Sequence, residues 1–72
     1  MTEKEKIELL EEIMELDEDT LNLESVLEDL EEWDSLSKLS LMAESKKRFG
    51  KNLSVNEIRG FVTVKDICEY LQ

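Results

Sequence analysis

This 72-residue chain predicts an all-α fold, a small four-helix bundle of three longer helices and one short one, with a long loop between the first and second helices. Three observations predict it. Apolar residues recur at helical spacing in separate stretches. Serine, threonine or aspartate stands before each stretch as a helix cap. Proline is absent and only two glycines interrupt the chain, so no linker stands out. The apolar fraction, 40%, favours a packed core over disorder, and residues 1–72 are expected to form one domain.

The elements follow in order. Thr2 with Glu5 fits a capping box, and Ile7, Leu10, Ile13 and Met14 continue at helical spacing, with Glu8, Glu11, Glu12 and Glu15 mostly on the other side. The pattern fades at Asp17–Asp19. Residues 17–34 hold no period for long; Leu21, Leu23, Val26, Leu27 and Leu30 suggest a loop pinned by inward leucines, with Ser25 and Glu28 starting a short turn. Loops of this length are uncommon unless functional. A second helix runs from Ser35 to Phe49, and Gly50 stops it. Its polar residues Ser37, Ser40, Glu44, Lys47 and Arg48 share one arc, expected to be exposed. Leu36, Leu39, Leu41, Met42, Ala43 and Phe49 spread over the rest, as though the helix were buried against several neighbours. Ser54 with Glu57 opens a short helix closed by Gly60. Thr63 with Asp66 opens the last, where Val64, Ile67, Cys68 and Leu71 sit at i, i+3, i+4 and i+7.

Composition excludes several functions. Residues 1–37 hold fifteen acids and two bases, and residues 38–72 four acids and seven bases. Nucleic acid and anionic membrane are poor partners for such a surface, whereas a basic protein surface complements it. No apolar run approaches the roughly 20 residues that span a bilayer. MTEKEK lacks the layout of a secretion signal, which sets the expectation of a cytoplasmic protein. The lone Cys68 cannot form an internal disulfide and is read as core. The absence of histidine removes the usual parts of zinc sites and of serine or cysteine catalysis. Asp17, Asp19 and Glu28 stand at calcium-loop positions 1, 3 and 12, but Leu21 and Asn22 occupy positions 5 and 6, where a further ligand and a glycine belong. No metal and no enzymatic activity are expected.

The informative stretch is Trp33-Asp34-Ser35-Leu36-Ser37. Asp34 is a good N-cap, which places Ser35 in the first helical turn over the positive end of the helix dipole. An anion on that hydroxyl gains typically 0.3–1 kcal/mol when exposed. The site suits a phosphate diester. It does not suit hydrolysis, since no histidine base stands ready.

In this frame the chain resembles the acyl carrier protein family, including the peptidyl carrier domains. Asp34-Ser35-Leu36 opens the second helix after a long loop, Phe49-Gly50 closes it, a short third helix follows, and Val62-Thr63-Val64-Lys65-Asp66-Ile67 opens the fourth. The resemblance implies that Ser35 carries 4′-phosphopantetheine, flanked by Asp34 and Leu36 and installed from coenzyme A by a phosphopantetheinyl transferase. The arm's thiol would hold an acyl or aminoacyl group as a thioester and present it to loading and synthase enzymes. Leu36, Met42 and Ala43 are candidate partner contacts or cargo-pocket residues, with ordinary core as the alternative for the last two. Carriers serving fatty acid synthesis usually stud the second helix with acids. Here the acids gather in the preceding loop, at Glu24, Glu28, Asp29, Glu31 and Glu32, and the helix carries Lys46, Lys47 and Arg48. That departure points to a specialised fatty acyl, polyketide or nonribosomal pathway. Trp33 is read as an anchor for the loop, and a monomer is expected. The rival reading is a non-enzymatic acidic interaction module in which Ser35 only helps start a helix.

Overall fold

The structure, a computed structural model, describes all residues 1–72. Four helices form: α1 (Glu3–Ile13), α2 (Ser35–Phe49), α3 (Val55–Gly60) and α4 (Val64–Tyr70), with a single 3-10 turn at Leu27–Asp29 inside the long loop. The all-α expectation holds. No strand is present beyond an isolated antiparallel bridge between Val26 and Thr63.

Caps mark the boundaries as the sequence suggests. Thr2 Oγ1 accepts from the Glu5 N–H and Glu5 Oε1 accepts from the Thr2 N–H, at 3.2 and 2.9 Å. Ser54 and Glu57 form the same reciprocal pair at the start of α3. At α4, the Asp66 carboxylate accepts from the N–H groups of Val62 and Thr63. These donors hold the carboxyls of Glu5, Glu57 and Asp66 below their ordinary ionisation range. Gly50 ends α2 in the left-handed conformation, φ 67°, which only a residue without Cβ adopts freely. Glu15 does the same after α1 at φ 57°, where the N–H of Leu16 reaches back to the carbonyl of Glu11. Gly60, by contrast, lies within the last turn of α3 without a positive φ.

The core draws on every segment. Leu10 of α1, Leu27 of the loop, Leu41 of α2, and Val64, Ile67 and Leu71 of the C-terminal segment are fully buried. Met14, Leu21, Leu53, Ile58 and Cys68 complete the cluster. Cys68 is thus a core residue, its thiol ionisation pushed up by burial. In the loop, Leu21 and Leu27 do point inward. The loop is held by backbone as well: Leu27 N–H donates to Val62 O, Val64 N–H to Ser25 O and Lys65 N–H to Leu23 O, at 2.9–3.0 Å. The 3-10 turn begins after Val26, which offers no side-chain cap. Ser25 instead accepts from the Asn22 N–H, so Ser25 with Glu28 does not start it.

Two further expectations are corrected. Glu11 does not join the solvated face of α1: it is buried, and its Oε2 accepts from the Leu21 N–H at 2.9 Å. A buried carboxylate is tolerated where it meets a donor that would itself go unpaired. Nor is α2 buried over a wide arc. Only Ser37, Leu41 and Ser45 are enclosed, while Leu36 and Leu39 are 75% and 61% exposed.

Candidate functional site

The opening turn of α2 is fixed by three local devices. Asp34 is the N-cap in extended conformation, and its Oδ1 accepts from the Ser37 N–H at 2.9 Å. That bond holds the Asp34 carboxyl below its ordinary range. Ser37 Oγ donates back to the carbonyl of Glu32 at 2.6 Å, tying the end of the acidic loop onto the helix. Trp33 is half-buried against the core, as an anchor should be, and the Lys38 ammonium lies 5.9 Å from the centre of its ring, within cation–π range.

Ser35, the first residue of α2, is exposed. Its neighbours Asp34 and Leu36 are exposed too, so no side chain roofs the hydroxyl. The free N–H groups and positive dipole end of a 15-residue helix lie beside it, an arrangement that favours an attached anion. A phosphate diester on Ser35 Oγ therefore fits the residues present in space, polarity and access.

α2 sets two unlike clefts on either side of this serine. Toward α1 lies a cleft of about 560 Å³ that includes Asp34 and Leu36, with Glu12, Glu15, Glu32 and Glu44 contributing carboxylates and no cation among its lining. Toward α3 lies a groove of about 330 Å³ whose wall includes Ser35 itself. Its apolar lining is Leu39, Met42, Val55 and Ile58, and its only charged residues are Lys38 and Arg59. A third depression, of about 570 Å³, joins Met42 and Ala43 to Lys46, Lys47, Asn52 and Leu53.

The expected polar arc of α2 is largely exposed: Ser40, Lys47 and Arg48 are exposed and Glu44 is half-buried, while Ser37 departs from it and is buried. Ser37, Ser40 and Glu44 face the α1 side. Glu44, the only acid of α2, is paired with Arg48 at 2.5 Å. The solvent face between α2 and α3 carries leucine and lysine instead. Of the candidate contacts, Leu36 borders the acidic cleft, half-buried Met42 borders both other depressions, and Ala43 is exposed in the third.

With this geometry, the family model described as "phosphopantetheine attachment site" matches residues 7–71. The chain belongs to this family. Its members carry covalently attached 4′-phosphopantetheine and serve as carriers that interact with phosphopantetheinyl transferases and with loading and synthase enzymes. The match covers every element from within α1 to the end of α4. No curated protein and no solved structure matches the chain. No helix of this carrier-family chain is long and apolar enough to cross a membrane.

Sequence reasoning missed the tie from Ser37 to Glu32 and the exposure of Leu39 and Val55. A signal for the first was present: with Asp34 as N-cap, the residue at the third helical position sits over the incoming loop, where a short hydroxyl can reach a loop carbonyl. For the second there was none, because periodicity marks an apolar face without stating whether a neighbour is long enough to cover it.

Proposed function

We propose that Ser35 is the attachment point of the phosphopantetheine arm, and that the chain acts as a non-enzymatic, monomeric, cytoplasmic carrier formed by one domain, residues 1–72. The observation that carries this reading is the exposed Ser35 hydroxyl at the capped, fixed start of a 15-residue helix. In the modification step, Ser35 Oγ bonds to the pantetheine-bearing phosphorus of coenzyme A. The anhydride bond to the adenosine half breaks, adenosine 3′,5′-bisphosphate leaves, and the hydroxyl proton passes to a base on the transferase. This chain offers no histidine for that role. Asp34 is occupied as the cap, and its low ionisation range suits it to hold the turn rather than to take a proton.

When bound, the arm supplies a terminal thiol that carries an acyl or aminoacyl group as a thioester. What the chain's own residues contribute is placement. Asp34 and Ser37 fix the serine, and Leu36, Met42 and Ala43 offer contact surface to partners. The lone acid of α2, paired within its own helix, supports service in a specialised fatty acyl, polyketide or nonribosomal pathway rather than in bulk fatty acid synthesis. Incubation with coenzyme A and a broad-specificity phosphopantetheinyl transferase is expected to add the mass of one arm to the wild type and nothing to Ser35→Ala. An unmodified wild type with several such transferases would leave the acidic interaction module as the better account.

A further inference from the structure

The end of α2 bears a charge opposite to that of the chain as a whole. Lys46, Lys47 and Arg48 fill its last turn, and Lys51 follows, in a protein of net charge −10. Two of these cations are committed. Arg48 is paired with Glu44. Lys51 Nζ donates to the Tyr70 carbonyl and lies 5.0 Å from the centre of the Tyr70 ring. Lys46 and Lys47 are exposed, and their ammonium groups meet neither a carboxylate nor a carbonyl.

Cations at a helix C-terminus favour the helix dipole, but the dipole does not account for what lies beside these two. Lys46 and Lys47 border the depression of about 570 Å³, which has no acid in its lining. Its floor is half-buried Met42, exposed Ala43 and buried Leu53, and exposed Asn52 completes the wall. Ala43 precedes the lysines by three and four positions, so its short side chain leaves a notch on their own face of the helix. From Ser35 to Lys46, at 1.5 Å per residue, the axis of α2 advances about 16 Å. The depression is thus a contact point separate from the serine's surroundings.

We propose that this depression receives an acidic segment of a partner protein, with an apolar side chain seated over Met42 and Ala43 and carboxylates facing Lys46 and Lys47. The inference rests on the carrier reading, which gives a partner enzyme its reason to dock, and goes beyond it by fixing the charge of that enzyme's contact. Composition points to basic partners for the chain at large; this end of α2 selects the opposite. Complementary charge speeds encounter and rejects partners of the wrong sign. Two free cations on an acidic protein are too few for nucleic acid, whose binding wants a basic stripe.

The probe is a short helical peptide of leucine and glutamate, titrated into the full chain while amide spectra are recorded. Shifts are expected at Met42, Ala43, Lys46, Lys47, Asn52 and Leu53, weakening as salt is raised. K46Q/K47Q, its helix content verified by circular dichroism, should bind roughly tenfold more weakly. A43Q keeps both cations but fills the notch, and it too should weaken binding. No shifts at the depression, equal shifts from a peptide with glutamine in place of glutamate, or tighter binding of a short DNA strand would overturn the proposal. So would undiminished binding by A43Q, which would reduce the lysines to a diffuse charge. Intact mass after treatment with coenzyme A and the transferase reads the attachment separately. Peptide shifts in a protein that gains no arm would overturn Ser35 as the attachment point and leave the docking site standing.

Discussion

The two flanks of α2 are built from different residue types and serve different ends. Toward α1, polar side chains do structural work: Ser37 holds the loop carbonyl of Glu32, and Glu44 pairs with Arg48. Toward α3, leucine, valine and methionine stand in or near solvent beside lysine and arginine. Hydrophobic character and burial have come apart on this helix. Only Leu41 obeys the simple rule, wholly enclosed two positions from a leucine that is 61% exposed. The lesson is that a small bundle commits few of its apolar residues to stability and leaves others for contact, and an exposed cluster of apolar side chains marks an interaction site.

The largest effect that could break this comparison lies at Leu41. Leu41→Ala should cost about 2–5 kcal/mol, the usual range for a buried leucine, and so remove most or all of the stability of a domain this small. Urea unfolding followed by helical circular dichroism measures it. Ser37→Ala should cost about 1 kcal/mol, the net worth of one hydrogen bond, and speed hydrogen exchange at the Trp33 amide as the loop end slackens. A loss no larger than that of an exposed surface serine would show that the strut is idle.

Charge at the cap gives a smaller effect. The Ser37 N–H lowers the Asp34 ionisation range in the folded chain, so the folded state binds protons there less readily than the unfolded one. Its contribution is present above the unfolded carboxylate range, near pH 4, and is lost as pH falls through the lowered range. Asp34→Asn keeps a competent cap but removes the titration. Its urea midpoint should therefore fall less steeply than the wild type's between neutral pH and pH 3. Equal slopes would mean that the charge of Asp34 adds nothing. The smallest effect belongs to Leu39→Ser, expected within about 0.5 kcal/mol of wild type, against the large loss at Leu41. A loss comparable to that at Leu41 would mean that Leu39 is core after all.

How much of this was legible in the residues depends on range. Helices α1 and α2 and the caps at Thr2, Asp34 and Ser54 were readable because capping is a local exchange between a side chain and the next free N–H groups. Asp34-Ser35-Leu36 was legible for the same reason, as was the stop at Gly50. The backbone bonds from Ser25 and Leu27 to residues 62–64 were not, since backbone pairing across some 40 residues leaves no trace in side-chain identity. The buried Glu11 was hidden too, because its partner is the amide of Leu21, which every sequence supplies. The charged groove escaped notice because Lys38 and Arg59 belong to different helices and meet only once α3 packs beside α2.

The central claim concerns one oxygen atom, and fragment-ion mapping of the modified protein tests it most directly. The chain holds serines at 25, 35, 37, 40, 45 and 54, three of them within the first six residues of α2. The arm is expected on Ser35 alone, with Ser37 and Ser40 unmodified. An arm mapped to any other serine would contradict the account.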